Sequence, residues 1–226
     1  PWPFADLLHL ISKKDKPSIM TYHSDVVGKG LAGTIYNPLK NIMLRDMKKI
    51  IATSPNYISS SSTLSAYSND RKLSVIPLGI SEESLKKHLA EAEKINIEDT
   101  FGVKQNNYFL FIGVFRAYKG LKFLIESSSQ TDLPILIAGG GGEESLYKQY
   151  AKEFKNIKFA GRVSDIEKVA LLKNSSGVVL PSHLRSEAFG MVMIEASIFS
   201  KPLITCEINT GTSYVNKDNF SGLVVE

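Results

Sequence analysis

The sequence contains very little cysteine, one residue in 226, and no long apolar run. A lone thiol, Cys206, cannot form a disulfide within the chain, and this favours a reducing compartment. A membrane-spanning helix needs about 20 consecutive apolar residues, and the sequence has no such run. It also has no signal-peptide pattern. These absences predict a cytoplasmic protein.

Metal-ligand clusters and strong charge are missing as well. No group of His, Cys and Asp residues has the spacing of a metal site, and no serine stands in a nucleophile elbow. The net charge of +4 is too weak to indicate a nucleic-acid partner, although it favours phosphorylated ligands. The 43% hydrophobic content is that of an ordinary globular protein. The oligomeric state is left open.

Strand-like apolar runs alternate with amphipathic stretches through most of the chain. The pattern predicts strands at 18–22, 50–53, 73–76, 108–112, 134–138, 157–159, 177–180 and 202–205. It predicts helices at 35–49, 56–67, 121–128, 143–155, 165–174 and 190–199. Repeated βα units of this kind imply parallel sheets covered by helices on both faces. Ligands of such sheets bind beyond the carboxyl ends of the strands, where His23, Arg116, Gly139, Gly161 and Glu187 fall.

Two carboxylates, Glu187 and Glu195, stand eight residues apart with a helix start between them. In a continuous helix this spacing rises ~12 Å and turns the side chains ~80° apart, which suits an extended ligand better than one shared metal. Unpaired N–H groups at a helix start attract an anion. The alternative is a capping acid and a solvated face, but apolar residues flank Glu195. The arrangement predicts a nucleotide-sugar pocket.

Two cations, Arg116 and Lys119, follow a buried strand and precede a helix. At this spacing they could clamp a diphosphate, because arginine forks onto phosphate oxygens. The alternative is a pair of solvated surface cations.

Two further strand ends could approach a ligand through their backbone. The run from Gly139 and Gly140 to Gly142 permits close approach to a ligand or to a neighbouring element. It is not a dinucleotide fingerprint, because Glu144 occupies the third glycine position. Arg162 and Val163, after Gly161, could present a backbone edge to a nucleobase, although a plain turn would look the same.

Several ordered motifs together resemble the retaining glycosyltransferases of family 4. They are His-Ser-Asp at 23–25, Ala-Thr-Ser-Pro at 52–55, Val-Ile-Pro-Leu-Gly at 75–79, Arg-x-x-Lys-Gly at 116–120, the glycines at 139–142 and Glu-x7-Glu at 187–195. The resemblance implies an α/β fold of GT-B architecture, with two Rossmann-like domains. Segments 185–190 and 211–215 look most like the subset that builds lipopolysaccharide O-antigen, often mannosyltransferases that use GDP-mannose.

The resemblance implies a role for each site residue. Glu187 and His23 would act at the donor sugar, and Glu195 would bind the ribose. The base would meet the backbone at Arg162 and Val163. The donor diphosphate would be bound by a larger set: Arg116, Lys119 and the backbone of Phe189, Gly190, Met191 and Val192. No cofactor or metal is implied, since the nucleotide sugar is itself a substrate.

The implied reaction is transfer, with retention, of a hexose to a lipid-linked or oligosaccharide acceptor in lipopolysaccharide or exopolysaccharide synthesis. Mannose from GDP-mannose is the first expectation, and a UDP- or dTDP-sugar is the alternative donor. A non-catalytic GT-B scaffold, a dehydrogenase, and a GT-B hydrolase or epimerase are rival functions. The broken glycine fingerprint counts against the dehydrogenase.

The resemblance also suggests a domain division. Residues 1–79 would form the carboxyl-terminal part of an acceptor-side domain, and 80–226 an incomplete donor-binding domain. The chain starts without methionine and ends directly after a strand-like run, so we expect an internal piece of a longer protein. A basic segment from Lys29 to Lys49, including Lys40 and Arg45, suggests peripheral contact with the inner face of the plasma membrane.

Overall fold

The chain is described by a computed structural model that covers residues 3–12, 16–25 and 30–226, with side chains from 4–12, 16–25 and 36–226. Contacts divide it into two compact units. The first unit comprises Pro1–Leu78 together with two later loops, Arg185–Phe189 and Asn209–Tyr214. The second unit comprises Gly79–Leu184, Gly190–Ile208 and Val215–Glu226. The acceptor-side and donor-side roles expected for 1–79 and 80–226 stay predictions.

The first unit contains a parallel three-stranded sheet. Its strands are β1 (Ile19–Tyr22), β2 (Lys49–Ala52) and β3 (Leu73–Val75), in the order β1-β2-β3. Its helices are α1 (Pro3–Ile11), α2 (Gly30–Asp46) and α3 (Pro55–Ser60). Tyr22, Leu44, Ile50 and Tyr57 are fully buried in its core, and Ala188 from the later loop joins them. The loop 185–189 therefore contributes to the core of this unit.

The beginning of α3 follows the predicted capping, but its end does not follow the predicted length. Ser54 accepts a hydrogen bond from the N–H of Tyr57 at 3.1 Å, and Pro55 opens the first turn. The helix predicted to reach residue 67 ends at Ser60. Beyond it, the Ser61 hydroxyl accepts from the N–H of Leu64. Serine side chains that bind backbone groups in this way compete with helical hydrogen bonds, so the helix stops.

The second unit contains a six-stranded sheet, and every strand pair in it is parallel. Its strands are β4 (Phe109–Val114), β5 (Ile135–Gly140), β6 (Ile157–Gly161), β7 (Gly177–Leu180), β8 (Leu203–Cys206) and β9 (Gly222–Val225). The spatial order is β6-β5-β4-β7-β8-β9. Numbered within the unit this is 3-2-1-4-5-6, the order of dinucleotide-binding domains. The order reverses between β4 and β7, so a ligand crevice is expected beyond their carboxyl ends.

Helices cover both faces of this sheet. They are α4 (Glu82–Lys86), α5 (Leu89–Ala92), α6 (Ile97–Phe101), α7 (Leu121–Ser127), α8 (Glu144–Tyr150), α9 (Asp165–Asn174), α10 (Met191–Ile198) and α11 (Thr212–Val215), whose first three residues lie in the first unit. On β4, Leu110 and Phe111 enter opposite core clusters, and Val178 and Val179 do the same on β7. Consecutive strand residues point to opposite faces, so both faces are apolar.

The prediction of parallel βα units is confirmed, with boundary shifts. The helix predicted at 35–49 runs from Gly30 to Asp46, and the one predicted at 143–155 ends at Tyr150. Three short helices, α4 to α6, occupy a charged segment for which no element was predicted. Among the described residues, no helix has both the length and the apolar character needed to cross a bilayer.

Gly139 is required by close packing between β5 and β4. Its φ is +130°, and a Cβ there would lie 1.9 Å from the carbonyl oxygen of Gly113. We expect Gly139→Ala to lower the free energy of unfolding by about 2–4 kcal/mol through strain and overpacking. Urea denaturation would measure the loss. Gly142→Ala is the matched control, because no atom lies within 4 Å of its added Cβ. Equal stability of the two variants would contradict the prediction.

Candidate functional site

The loops that follow β4 and β7 meet at the topological switch point of the second unit. The backbone N–H of His183 donates to the carbonyl of Tyr118 at 3.1 Å. A Cβ on Gly120, whose φ is +70°, would lie 1.9 Å from the carbonyl oxygen of Pro181. Only glycine fits so close a backbone approach. The glycine of the Arg-x-x-Lys-Gly motif thus fixes the path of the loop that carries both predicted cations.

Arg116 and Lys119 both lie on this loop. Arg116 directly precedes a short 3-10 turn and is exposed. The Lys119 ammonium stands 5.5 Å from the centre of the Tyr118 ring, a cation–π distance. Both cations are therefore at the carboxyl end of β4, where sheets of this order bind anionic ligands.

The helix start predicted between the two carboxylates is present. Gly190 adopts a left-handed conformation with φ +78°, and α10 begins at Met191. A Cβ on Gly190 would lie 2.6 Å from Met193 Cε and 2.8 Å from Leu180 Cδ2, and its positive φ would strain any other residue. The first N–H groups of a helix have no partner within the helix. Gly190, Met191 and Val192 belong to the second unit and Phe189 to the first, and their binding of phosphate stays a prediction.

Glu195 lies on α10 and makes an ion pair that was not predicted. Its carboxylate is 3.1 Å from the ammonium of Lys168 on α9, and Asp165 lies 3.3 Å from the same ammonium. Burial alone would lower the pKa of Lys168, but hydrogen bonding and the charge of Glu195, with Asp165, outweigh it and raise the pKa. Glu195 is thus a held carboxylate and not part of a freely solvated face.

The glycine run and Arg162 adjoin at the ends of β5 and β6. A Cβ on Gly140 would lie 3.2 Å from Arg162 Nε and 2.9 Å from a carboxylate oxygen of Glu144. The N–H of Phe115, just after β4, donates to the carbonyl of Gly140 at 3.0 Å. Gly139 and Gly140 therefore permit close approach of neighbouring groups, whereas Gly142 has open space around it. Arg162 is exposed, and its contact with a base stays a prediction.

His23 and Glu187 are both in the first unit, although 164 positions separate them in sequence. His23 directly follows β1, and Glu187 is a buried carboxylate with 8% of its surface exposed. Surrounding protein atoms reduce hydration of the His23 ring and lower its pKa, while the negative charge of Glu187 acts in the opposite direction. The resemblance implied that each of these residues acts at the donor sugar, which stays a prediction, and the structure brings the two within electrostatic reach of one another.

Because the pKa of His23 is lower in the folded protein than in the unfolded chain, His23 makes the stability of the protein depend on pH. The unfolded chain binds a proton at His23 below about pH 6.5, whereas the folded protein binds this proton only at a lower pH. Stability is therefore lost as the pH falls through that value. We expect His23→Gln to lose less free energy of unfolding than the parent between about pH 7 and pH 5, measured by urea denaturation. His88→Gln controls for loss of an imidazole elsewhere. Parallel curves for parent and His23→Gln would contradict the prediction.

The proposed membrane-facing segment is corrected at one position. Lys40 is 7% exposed and donates to the Thr63 hydroxyl at 2.8 Å, so it does not belong to an outward basic surface. Helical spacing without knowledge of the neighbouring loop could not show this burial. Lys29 lies outside the described residues. Within the described ranges, no three His, Cys, Asp or Glu side chains are close enough to hold a metal, and metal independence stays a prediction.

Two curated relatives match the entire chain. An O-antigen chain mannosyltransferase C of Escherichia coli is 40% identical over 228 residues, covering 100% of this chain and 59% of its own length. The D-rhamnosyltransferase WbpZ of Pseudomonas aeruginosa is 42% identical over 227 residues, covering 100% of this chain and 58% of its own length. The chain thus spans just under three fifths of the length of these relatives.

Solved structures share the fold at low identity. HepE of Anabaena in complex with UDP superposes with a TM-score of 0.74 at 17% identity, covering 92% of this chain and 58% of that one. WaaG, a glycosyltransferase of lipopolysaccharide biosynthesis, gives 0.63 at 16% identity, covering 88% and 59%. These likenesses confirm the expected α/β, GT-B fold class. Residues 84–226 match the family described as "Glycosyl transferases group 1". The chain belongs to the glycosyl transferases group 1 family.

Proposed function

We propose that the protein carrying this chain is a retaining glycosyltransferase that moves a hexose from a nucleoside-diphosphate sugar to a lipid-linked or oligosaccharide acceptor. Mannose from GDP-mannose is the first choice, and O-antigen or a related polysaccharide is the product. The observation that carries the proposal is 40% identity to an O-antigen mannosyltransferase along the whole chain. Fold alone would not support it, because one fold hosts many chemistries.

The arrangement of the second unit supports donor binding. Arg116 and Lys119 stand at the switch point, where their charges would neutralise the diphosphate leaving group. The start of α10 would add backbone N–H groups to the same anion. Glu195, held by Lys168, would accept hydrogen bonds from ribose hydroxyls, and the backbone at Arg162 and Val163 would meet the base. These cations would do work that a metal ion does in other transferases.

The first unit supplies the groups proposed to act at the sugar. Glu187 would contact the donor hexose, and His23 would reach the same sugar. The lowered pKa of His23 keeps its ring neutral near pH 7, so that it can accept or donate a hydrogen bond without adding positive charge. A buried carboxylate near a sugar that gains positive charge in the transition state would stabilise that charge.

D-rhamnose is the second candidate sugar, favoured by 42% identity to a D-rhamnosyltransferase. It is mannose without the hydroxyl on C6, so the two donors differ by one polar group. A site that hydrogen-bonds this hydroxyl rejects the deoxy sugar strongly, whereas an apolar site discriminates only weakly. Competition between GDP-mannose and GDP-D-rhamnose in transfer assays would therefore distinguish the two.

A thermal-shift panel on this chain tests donor binding. The ligands are GDP-mannose, GDP, UDP-glucose, dTDP-rhamnose and NAD. Saturation at 100 times the dissociation constant adds about 2.7 kcal/mol of apparent stability, which is readily measured. We expect a shift with the GDP compounds, unchanged by EDTA. A shift with only UDP or dTDP compounds would show that the donor is a UDP- or dTDP-sugar and not GDP-mannose. A shift with NAD alone, or none in folded protein, would contradict the proposal.

A further inference from the structure

Arg185 makes three contacts inside the first unit. Its Nη2 lies 3.2 Å from Oδ2 of Asp25, and its Nη1 donates to the carbonyl of Asn209 at 2.9 Å. Its guanidinium also stands 5.1 Å from the centre of the Tyr57 ring, in a cation–π arrangement. A planar guanidinium that bridges two acceptors and stacks on an aromatic face has little freedom to move. Arg185 is therefore fixed in position.

Asp25 is fixed as firmly as Arg185. Its Oδ1 accepts from the Ser61 hydroxyl at 2.8 Å and from the Tyr22 hydroxyl at 3.0 Å, while its backbone N–H donates to the Tyr57 hydroxyl at 2.5 Å. Burial raises the pKa of Tyr57 to about 12, so its hydroxyl stays protonated. Tyr22, Tyr57 and Ser61 are almost completely buried. The acceptor for Arg185 is thus attached to the core of the first unit.

The remainder of the loop that carries Arg185 is attached at Glu187 and Ala188. The Thr210 hydroxyl donates to the carbonyl of Glu187 at 2.8 Å, and the N–H of Gly211 donates to the carbonyl of Ala188 at 2.9 Å. Ala188 is buried in the core of this unit. These bonds fix the backbone of the loop, and the Arg185 side chain ties the loop to Asp25, two residues after His23.

We propose that Asp25 and Arg185 form a clamp that holds the loop 185–189 so that Glu187 stands at its working position beside His23. Arg185 is thus a positioning residue, and Asp25 its anchor. The inference rests on the proposed function, in which Glu187 contacts the donor sugar. A displacement of a catalytic group by about 1 Å can cost on the order of 100-fold in rate. A clamp two residues from Glu187 controls a displacement of this size.

Four variants of the whole polypeptide that carries this chain test the clamp: Arg185→Met, Asp25→Asn, their double variant, and Arg185→Lys. We expect Arg185→Met, Asp25→Asn and the double variant to lower kcat for sugar transfer from GDP-mannose by about 10- to 100-fold. The dissociation constant of GDP is expected to stay within threefold of the parent value. The double variant falls no further than Arg185→Met, because Asp25→Asn weakens an ion pair that Arg185→Met has already removed. Arg185→Lys restores part of the rate by keeping the charge near Asp25.

Hydrogen exchange supplies a readout independent of catalysis. We expect faster amide exchange in 185–189 and 209–211 of the variants, with unchanged exchange in α9 and α10. Arg71→Met and Asp132→Asn, at exposed positions, are the matched controls and leave both readouts unchanged. Additive losses of rate, or unchanged exchange in the loops of a slow variant, would overturn the clamp.

The parallel variant Glu187→Gln separates the two hypotheses. If the parent protein transfers no sugar, the proposed function fails whatever Arg185 does, and if Glu187→Gln keeps the activity of the parent, the role proposed for Glu187 fails. If Glu187→Gln is inactive while Arg185→Met and Asp25→Asn keep the parent kcat, only the clamp fails. Melting temperatures of all variants show which of them are folded. If Arg185→Met does not fold, Asp25→Asn, which keeps the size of the side chain, tests the clamp.

Discussion

Glu187→Gln is expected to lower kcat for sugar transfer by about 10²–10³-fold, the usual cost of removing one electrostatic group from a reacting centre. The amide keeps the shape of the side chain and removes only its charge. Glu187 is buried, and a charge acts more strongly where water is excluded. Because the proposed contact is with the sugar and not the nucleotide, the affinity for GDP is expected to stay within a few-fold. Steady-state kinetics with GDP-mannose and calorimetry with GDP measure the two quantities.

Glu83→Gln is the matched control for this substitution. Glu83 is exposed in the first turn of α4, and its neutralisation is expected to leave transfer unchanged. Activity of Glu187→Gln within a few-fold of the parent would remove the catalytic assignment. A parent protein that binds nucleotide but transfers no sugar would instead indicate a GT-B domain without catalysis.

The second large effect is expected at the two cations after β4. Replacing Arg116 and Lys119 together by methionine should lower kcat/KM by about 10²–10³-fold, because the leaving diphosphate loses its neutralising charges. Binding assays with GDP and GMP localise the effect. If the cations hold the terminal phosphate, the affinity for GDP falls markedly and the affinity for GMP falls less.

Lys122→Met provides the comparison for this pair. Lys122 lies in the first turn of α7, two residues after Gly120, and is exposed beside Glu126. Its loss removes one positive charge from the same region and leaves the proposed phosphate contacts of Arg116 and Lys119 intact. A GDP affinity of the double variant equal to that of Lys122→Met would show that Arg116 and Lys119 are solvated surface cations.

Much of the fold could be predicted because a strand buried on both faces is apolar at consecutive positions, and such a run is visible in the sequence. Val178 and Val179 on β7 enter opposite core clusters, so the whole strand is apolar and stands out between polar loops. The capping of α3 by Ser54 was equally local. The end of that helix was not, because Ser61 is also bonded to Asp25, 36 residues earlier in the chain.

The candidate site shows the same division. Glu195 was predicted from its spacing to Glu187 and from its apolar neighbours, but its partner Lys168 stands on another helix. Lys168 also pairs with Asp165 three residues earlier, and this is all that a helical pattern could suggest. No periodicity links residues 168 and 195, since the pair depends on how α9 and α10 pack.

The sequence by itself determined the alternating βα order and the presence of His23, Arg116 and Glu187 at or beyond strand ends, because strand and helix periods are short-range consequences of burial. Only the tertiary structure decided that Arg185 meets Asp25 across 160 positions, and that Glu187 acts on His23 within one unit. Such pairs depend on the packing of segments that are distant in sequence, and the local periodicity of the sequence does not indicate which of these segments meet.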